Sequence, residues 1–428
     1  MKYVFIPALL LIAGFCQPFA AADEFSFDVS EFEKKAVEFE GHLEARYEHY
    51  SLDQSAALYR QSYYNKPNYR YLDRKLGLAE LTGRLRQDDF LLEFTGHAEA
   101  EDDQQASEQE SGLYEAFVAY RSGPELTMEL GKRSFKWGKA YAWNLLGFVE
   151  RAKDPNEPDL AREGYTVLAA DYIYSGSGAL QTLAFTPVYL PVREDLNTDY
   201  GAAGHDNVAA KLYLLYHNID IDLAYLSNGS QDDRLGMDFA ANLSTNFELH
   251  GEWSYIKGYS KSVTDSSGNI HSEQDDVHNY LLGLRYLTEN ETTFIIEYYR
   301  NGTGYNKTQM RDYYGLIEHA IATDNSSLLQ QARRLGQEGY TLRNPGRQYL
   351  FARISNKEPF DILYFTPAIT TIVNLDDNSY SLSPELLYTG VTNLELRFKA
   401  TLLNGDRYSE FGEKPNDAKY ELRLRYYF

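Results

Sequence analysis

Apolar and polar residues alternate along most of this chain. In the C-terminal segment one parity is wholly apolar or aromatic, while charged residues occupy the other; the apolar positions are Tyr420, Leu422, Leu424, Tyr426 and Phe428. A period of two residues is typical of a strand with one apolar and one polar face. With no helix or second layer left in the sequence to cover it, the apolar face is expected to contact either a sandwich core or lipid.

The same alternation recurs upstream, and the segments between the strands differ in length. Clear copies lie at residues 39–48, 79–86, 90–95, 237–243, 247–255 and 394–402. Tight turns are predicted at 87–88, 122–124, 175–178, 217–218, 244–246, 288–291, 356–360 and 390–393. Longer polar links are predicted at 53–74, 101–110, 136–163, 193–205, 258–276 and 301–344. Short and long links alternate, as the two rims of a transmembrane barrel require.

The pattern therefore predicts an all-β fold, a transmembrane antiparallel β-barrel with short periplasmic turns and long extracellular loops. We count about eighteen strands. Pro187 and Pro367 lie inside two of them, and the count falls to sixteen if they interrupt those strands. A soluble sandwich or jelly roll is the alternative, but it gives no reason for the alternating link lengths.

The N-terminus favours the membrane interpretation. Lys2 precedes an apolar run that is followed by small alanines, which predicts a cleaved signal peptide at residues 1–22 and export to the outer membrane. Cys16 tempts a lipoprotein interpretation, but the bulky Phe15 precedes it. We expect residues 23–38 to form a short periplasmic segment and residues 39–428 to form the barrel.

Composition narrows the function. The chain holds 37 tyrosines, which a barrel uses in aromatic girdles at the membrane interfaces. Its only cysteine is Cys16, so the sequence predicts neither disulfides nor thiolate metal sites, and no cofactor motif is found. A net charge of -22 makes a nucleic-acid partner unexpected.

Charged residues on the predicted lumen parity form two groups. A basic group surrounds the closing seam: Arg46, Arg84, Arg86, Arg397, Lys399, Arg423 and Arg425. An acidic group lies half a barrel away: Asp220, Asp222, Asp238, Glu248 and Glu252. Two opposed walls would place a transverse field across the pore. The alternative is that such charges pair with one another to satisfy buried polar groups, since glutamates lie among the arginines.

Two of the long links carry further hypotheses. The link after the fifth strand holds Arg133, Lys136 and Lys139, and either folds inward as a constriction loop or stays at the rim with Trp137 and Trp143 at the membrane interface. The link 301–344 has helical periodicity, with Asp324 as a cap and Gly339 as a stop. Its helices either form a lid that gates the pore or pack on the rim.

Signal peptide, strand alternation, rim asymmetry and the terminal RLRYYF together resemble Gram-negative outer-membrane β-barrels of the porin type. In that family a terminal aromatic such as Phe428, here preceded by Tyr426, is part of what the barrel assembly machinery recognises. The segment GKR leading to Trp137-Gly138 is similar to the alginate-export family. The partners this resemblance implies are outer-membrane lipid, lipopolysaccharide, the assembly machinery and a hydrophilic solute, in a monomer or a trimer.

The most direct function is a channel for passive diffusion of small hydrophilic solutes or ions, without covalent chemistry. A polysaccharide export pore is the alternative within transport. From other classes, the chain could be a surface enzyme that uses His42, His97 or His250 on the lumen parity, or a structural or adhesive barrel. The nine histidines show no metal-binding spacing.

Overall fold

Charged side chains face inward and apolar side chains outward in the computed structural model, which describes residues 36–428. In the last strand Leu422 and Leu424 are 49% and 43% exposed, whereas Glu421 and Arg423 are 1% and 3% exposed. This is the reverse of a water-soluble protein and is what a strand between lipid and a polar interior requires. The expected signal peptide and residues 23–35 lie outside the described part of the chain.

Eighteen strands make up the barrel, as the alternation predicts. The first nine are β1 (Val37–Leu52), β2 (Tyr71–Gln87), β3 (Phe90–Asp102), β4 (Ser107–Ser122), β5 (Leu126–Arg133), β6 (Tyr165–Ser175), β7 (Leu180–Leu190), β8 (Asn207–Tyr216) and β9 (Ile219–Leu226). The second nine are β10 (Arg234–Ser244), β11 (Phe247–Thr264), β12 (Ile270–Leu287), β13 (Thr292–Arg300), β14 (Gln348–Asn356), β15 (Phe365–Asn374), β16 (Tyr380–Val391), β17 (Leu394–Asn404) and β18 (Asn416–Tyr427).

Every strand pairs antiparallel with its neighbours in sequence, and β1 pairs with β18 to close the barrel. At the seam Phe428 and Gly41 exchange two main-chain hydrogen bonds of 3.0 Å. Both prolines stay within strands, so the count of sixteen is wrong. Pro187 lies where the β6–β7 ladder skips from Ala169 to Tyr172, as expected of a residue without an N–H group.

The eight predicted turns all connect even-numbered strands to the strands that follow, but the prediction of a tight turn at 356–360 is wrong, because the connection there runs over residues 357–364. Two predicted long loops are wrong, because residues 101–110 and 258–276 are mostly strand. The actual connections there are residues 103–106 and 265–269. The β11–β12 hairpin in particular continues far beyond the length that a membrane needs, so it stands above the barrel rim.

Three helices lie in the long loops: α1 (Ala57–Ser62), α2 (Lys307–Ala322) and α3 (Ser326–Leu335), followed by a π-helical turn, Gly336–Tyr340. Asn306 caps α2 in a capping box with Gln309. Asn325 caps α3, so the prediction of Asp324 as the cap is wrong by one residue. Gly339 lies inside the π-helical turn that ends the helical segment.

The helices pack with the β11–β12 hairpin into one apolar cluster, which we call the cap. Tyr313, Leu316 and Ile317 of α2 are fully buried in it, together with Leu58 of α1 and Val263 of β11. The cap thus has its own core, and it joins the loops that follow β1, β11, β13 and β17. No helix within residues 36–428 is long and apolar enough to cross a membrane.

Candidate functional site

The link between β5 and β6, residues 134–164, folds into the barrel, and we call it the inward loop. Its apolar side chains Trp137, Leu146 and Phe148 are at most 3% exposed and pack on the inner faces of β6 to β9. Trp143 is 7% exposed and lies 4.9 Å from Tyr299 of β13, measured between ring centroids. The tryptophans are therefore inside the barrel, and the alternative that placed them at the membrane interface is wrong.

Two buried carboxylates, Glu252 of the acidic wall and Glu297 outside it, hold the first half of the inward loop by its backbone. Glu252 of β11 accepts the main-chain N–H groups of Lys139, Ala140 and Leu145 at 2.6, 2.6 and 2.8 Å. Glu297 of β13 accepts the next pair, from residues 141 and 142, at 2.5 and 3.0 Å. Charged acceptors make the stronger class of hydrogen bond, so these contacts fix the course of the loop.

The rest of the acidic wall lies beside this anchor. Asp222 is fully buried, 3.0 Å from Lys139 Nζ and 3.6 Å from Lys211 Nζ. Asp220 accepts the Tyr213 hydroxyl. The neighbouring wall residues Asp238 and Glu248 differ: Asp238 is buried without a hydrogen-bond partner among the described residues, and Glu248 lies 3.3 Å from His250.

The basic wall holds the second half of the inward loop through one carboxylate. Glu157 accepts two hydrogen bonds from Arg397, at 2.6 and 2.8 Å, and one from Lys399 at 3.0 Å. Arg423 approaches it to 3.8 Å. Lys399 also donates to the main-chain oxygen of Asn156 at 2.6 Å. The loop therefore spans the barrel from one charged wall to the other.

The remaining basic residues are paired with glutamates of the same or adjacent strands. Arg425 donates to Glu44 at 2.7 Å, and Arg46 contacts Glu44 as well. Arg84 contacts Glu40 and Glu93 at 2.7 and 2.9 Å, and Arg86 contacts Glu38 at 2.7 Å. The wall is thus a network of ion pairs, which is the arrangement that the pairing alternative describes.

The three residues predicted to form a constriction lie in different surroundings. Arg133 is the last residue of β5 and pairs with Glu115 and Glu129 at 2.9 and 3.3 Å. Lys139 is the residue that contacts Asp222. Lys136 is exposed and has no ion pair among residues 36–428. Of the three, only Lys136 presents an uncompensated charge.

A cavity of about 960 Å³ remains between the inward loop and the wall formed by β2 to β8, and we call it the passage. Its lining carries both signs of charge: Glu80, Arg84, Glu93, Glu115, Glu129, Arg133, Lys136, Glu150, Lys153, Asp159, Arg162, Asp171 and Lys211. No residue of the cap lines it. The passage is therefore eccentric, on one side of a barrel whose other side is occupied by the loop and its anchors.

Two carboxyl groups of the inward loop, outside the strands, have opposite electrostatic surroundings. Burial raises the pKa of Glu150 to about 7, against the opposing effect of the Trp137 N–H group and Arg162. Burial also acts on Glu157, but Lys399, Arg397 and Arg423 outweigh it and lower the pKa of Glu157 to about 2. Glu157 is thus ionised at every physiological pH, whereas Glu150 titrates near neutrality.

Sequence reasoning missed the two loop anchors Glu157 and Glu297. Glu157 lies in a proline-containing polar stretch that gives no sign of its partners, and Glu297 is a lone acid on the inner parity of β13. His250 contacts Glu297 at 2.9 Å and His97 stacks on Tyr114 at 4.1 Å, and residues 36–428 hold no group of three or more His, Cys, Asp or Glu arranged for a metal.

The closed eighteen-stranded barrel, its apolar outer face and its inward loop define a transmembrane β-barrel with the architecture of outer-membrane porins. No protein family model matches the sequence, and no curated protein does. Solved structures do resemble it. Pseudomonas aeruginosa OpdQ superimposes with a TM-score of 0.54 at 11% identity, over 92% of this chain and 99% of that one.

Two further structures show the same likeness. Acinetobacter baumannii OccAB1 has a TM-score of 0.55 at 9% identity, over 92% of this chain and 96% of its own. The Pseudomonas aeruginosa outer membrane protein OprD has a TM-score of 0.50 at 11% identity, over 91% and 94%. At these identities the likeness is one of fold.

Proposed function

We propose that this protein is a channel of the bacterial outer membrane through which small hydrophilic solutes and ions diffuse passively. The observation that carries the proposal is the passage, a polar cavity of about 960 Å³ inside a barrel of porin architecture. A charged lining replaces part of the hydration of a polar solute, and it disfavours an apolar solute that displaces water without compensation.

The two charged walls act through the inward loop. Arg397, Lys399 and Glu252 are engaged by the loop and serve to hold it across the lumen. The charges that meet the solute are those of the passage lining, above all the unpaired Lys136 and the exposed Asp159. Selectivity in this proposal is set by a few local charges rather than by a field across the whole barrel.

The cap does not gate this route. Its tyrosines and leucines are buried in their own cluster, and none of its residues lines the passage. We therefore assign the helical segment the role of a rigid covering over the filled side of the barrel. The terminal residues Tyr426 and Phe428 serve assembly of the barrel. The main chain of Phe428 is hydrogen-bonded to Gly41 at the seam where the last strand meets the first.

Single-channel recording in planar bilayers tests the proposal. Wild-type protein should give stable conductance steps, and Lys136→Glu should shift the reversal potential in a KCl gradient toward cations. Lys307→Glu is the matched control, because Lys307 is equally exposed but belongs to the cap. An equal shift in both variants would place the ion path elsewhere.

Swelling of proteoliposomes in sugars and amino acids of graded size measures the solute range. Small solutes should enter and oligosaccharides should be excluded, because the inward loop crosses the lumen. Absence of both conductance and swelling from correctly folded protein would contradict the proposed channel function.

A further inference from the structure

The turn between β14 and β15, residues 357–364, differs from the other turns at its rim. Those turns are tight, as at residues 88–89, 217–218 and 392–393, whereas this one is much longer. Its sequence is KEPFDILY, and four of the five residues at positions 360–364 have large apolar side chains. Phe360 is 93% exposed, and Ile362, Leu363 and Tyr364 are 49%, 62% and 55% exposed.

Backbone strain accompanies this exposure. Phe360 and Tyr364 have φ values of +60° and +62°, and Glu358 and Asp361 are also left-handed at +52° and +60°. For bulky residues without a local polar interaction such angles are uncommon and cost on the order of 1–3 kcal/mol each. The turn is nevertheless ordered by hydrogen bonds, for example from the Glu358 N–H to the Phe365 oxygen at 2.8 Å.

Beyond these hydrogen bonds, no apolar packing within the described residues offsets the strain. No residue of the short helical turn Pro359–Asp361 is buried, and the apolar side chains belong to none of the buried clusters. Strain of this kind persists where surroundings over-determine the conformation. The compensating contact therefore lies outside residues 36–428.

The location of the turn indicates what supplies it. The outer faces of the adjoining strands carry Ile354, Ile369 and Tyr388, which are 46%, 51% and 40% exposed and belong to the lipid-facing band. Phe365, the first residue after the turn, pairs with Tyr388 on that face. The turn thus joins strands whose outer faces belong to the lipid-facing band, at the periplasmic edge of that band.

We infer that residues 357–364 insert Phe360, Ile362, Leu363 and Tyr364 into the periplasmic leaflet of the membrane. The partner is a lipid surface, and the left-handed residues turn the apolar side chains toward it. Burial of these side chains among acyl chains and headgroups offsets the backbone strain. The turn is then an interfacial anchor on one side of the barrel, independent of the proposed channel function.

Site-directed spin labelling tests the insertion. In a Cys16→Ser background the chain has no cysteine, so Phe360→Cys can be labelled with a nitroxide in phosphatidylethanolamine–phosphatidylglycerol vesicles. The label should be accessible to oxygen and protected severalfold from the aqueous Ni(II) complex, as at the lipid-facing control Leu424→Cys. The turn control Asp89→Cys should show the reverse. Exposure of position 360 to the aqueous complex, or protection from both reagents, would overturn the inference.

A second variant separates lipid contact from strain. Phe360→Gly relieves the left-handed conformation, because glycine adopts positive φ freely. If Phe360 contacts lipid, this variant should unfold at lower urea concentration than the wild type in those vesicles despite the relieved strain. If Phe360 faces water, the variant should be more stable, and that result would also overturn the inference.

Discussion

Replacing Glu157 by Gln should free the inward loop from the basic wall. Glu157 contacts Arg397 and Lys399 at 2.6 and 3.0 Å, and its side chain is only 17% exposed. These cations lower its pKa from the ordinary 4.5 to about 2. At about 1.4 kcal/mol per pKa unit, the ionised form is favoured by ~3 kcal/mol, which agrees with the ~3–5 kcal/mol lost when one partner of a buried ion pair is removed.

A loss of ~3 kcal/mol raises the population of detached loop about a hundredfold. We therefore expect larger and noisier single-channel conductance in Glu157→Gln. The reversal potential in a KCl gradient should move toward anions, because three cationic side chains lose their counter-charge. Limited proteolysis should also cut the inward loop faster than in the wild type.

The matched control is Glu163→Gln, which makes the same charge change in the same loop. Glu163 is 39% exposed and pairs with Arg151 at 3.0 Å, and such exposed pairs contribute only ~0–1 kcal/mol. Folding of both variants is checked by heat-modifiable electrophoretic mobility. If Glu157→Gln matched the control in conductance, noise and selectivity, the ion pairs would not hold the loop and the reasoning would fail.

Three other perturbations follow from the site and the seam. Lowering the pH through about 7 should protonate Glu150 and move the reversal potential toward anions; because its pKa is raised, the folded loop loses stability as pH rises from 4.5 through about 7, and Glu150→Gln should lack both effects. Gly41→Val should cost ~1–3 kcal/mol in urea unfolding, because an added Cβ would clash with the Glu80 main-chain oxygen and lie 2.9 Å from the Phe428 ring, whereas Gly77→Val, with open space, should not. Deleting Phe428 should reduce outer-membrane assembly, and unchanged heat-modifiable folding would contradict its role at the seam.

The barrel was predictable because each membrane-spanning residue has only two environments. Lipid on one side and polar lumen on the other impose strict alternation, as in Leu422 and Arg423, and the tight turns then fix the order of the strands. The parts of hairpins that extend beyond the membrane are not subject to this alternation. The start of β4 is exposed on both faces and highly polar, so its sequence reads as a loop although its backbone is strand.

The course of the inward loop could not be read from its sequence. Lys136 and Lys139 differ in nothing that periodicity detects, yet one is free in the passage and the other is paired with Asp222. Whether such a lysine is paired depends on a contact like that between Lys139 and Asp222, which are more than eighty positions apart in the chain. The two opposed charged walls could be predicted from the alternation of residues along the strands. Glu157, the carboxylate that joins the inward loop to the basic wall, could not.

Glu252 and Glu297 bind the inward loop through its peptide N–H groups, and Lys139 adds a side-chain ion pair to Asp222. Every amino acid except proline supplies a peptide N–H donor, so substitutions at Ala140, Tyr141 or Ala142 leave the hydrogen bonds to Glu252 and Glu297 chemically intact. The path of the loop therefore does not depend on side-chain hydrogen bonding at these positions, and only packing limits the size of the side chains at the buried Ala140 and Ala142. This separation of attachment from side-chain identity gives the inward loop a course that does not depend on which side chains it presents to the passage.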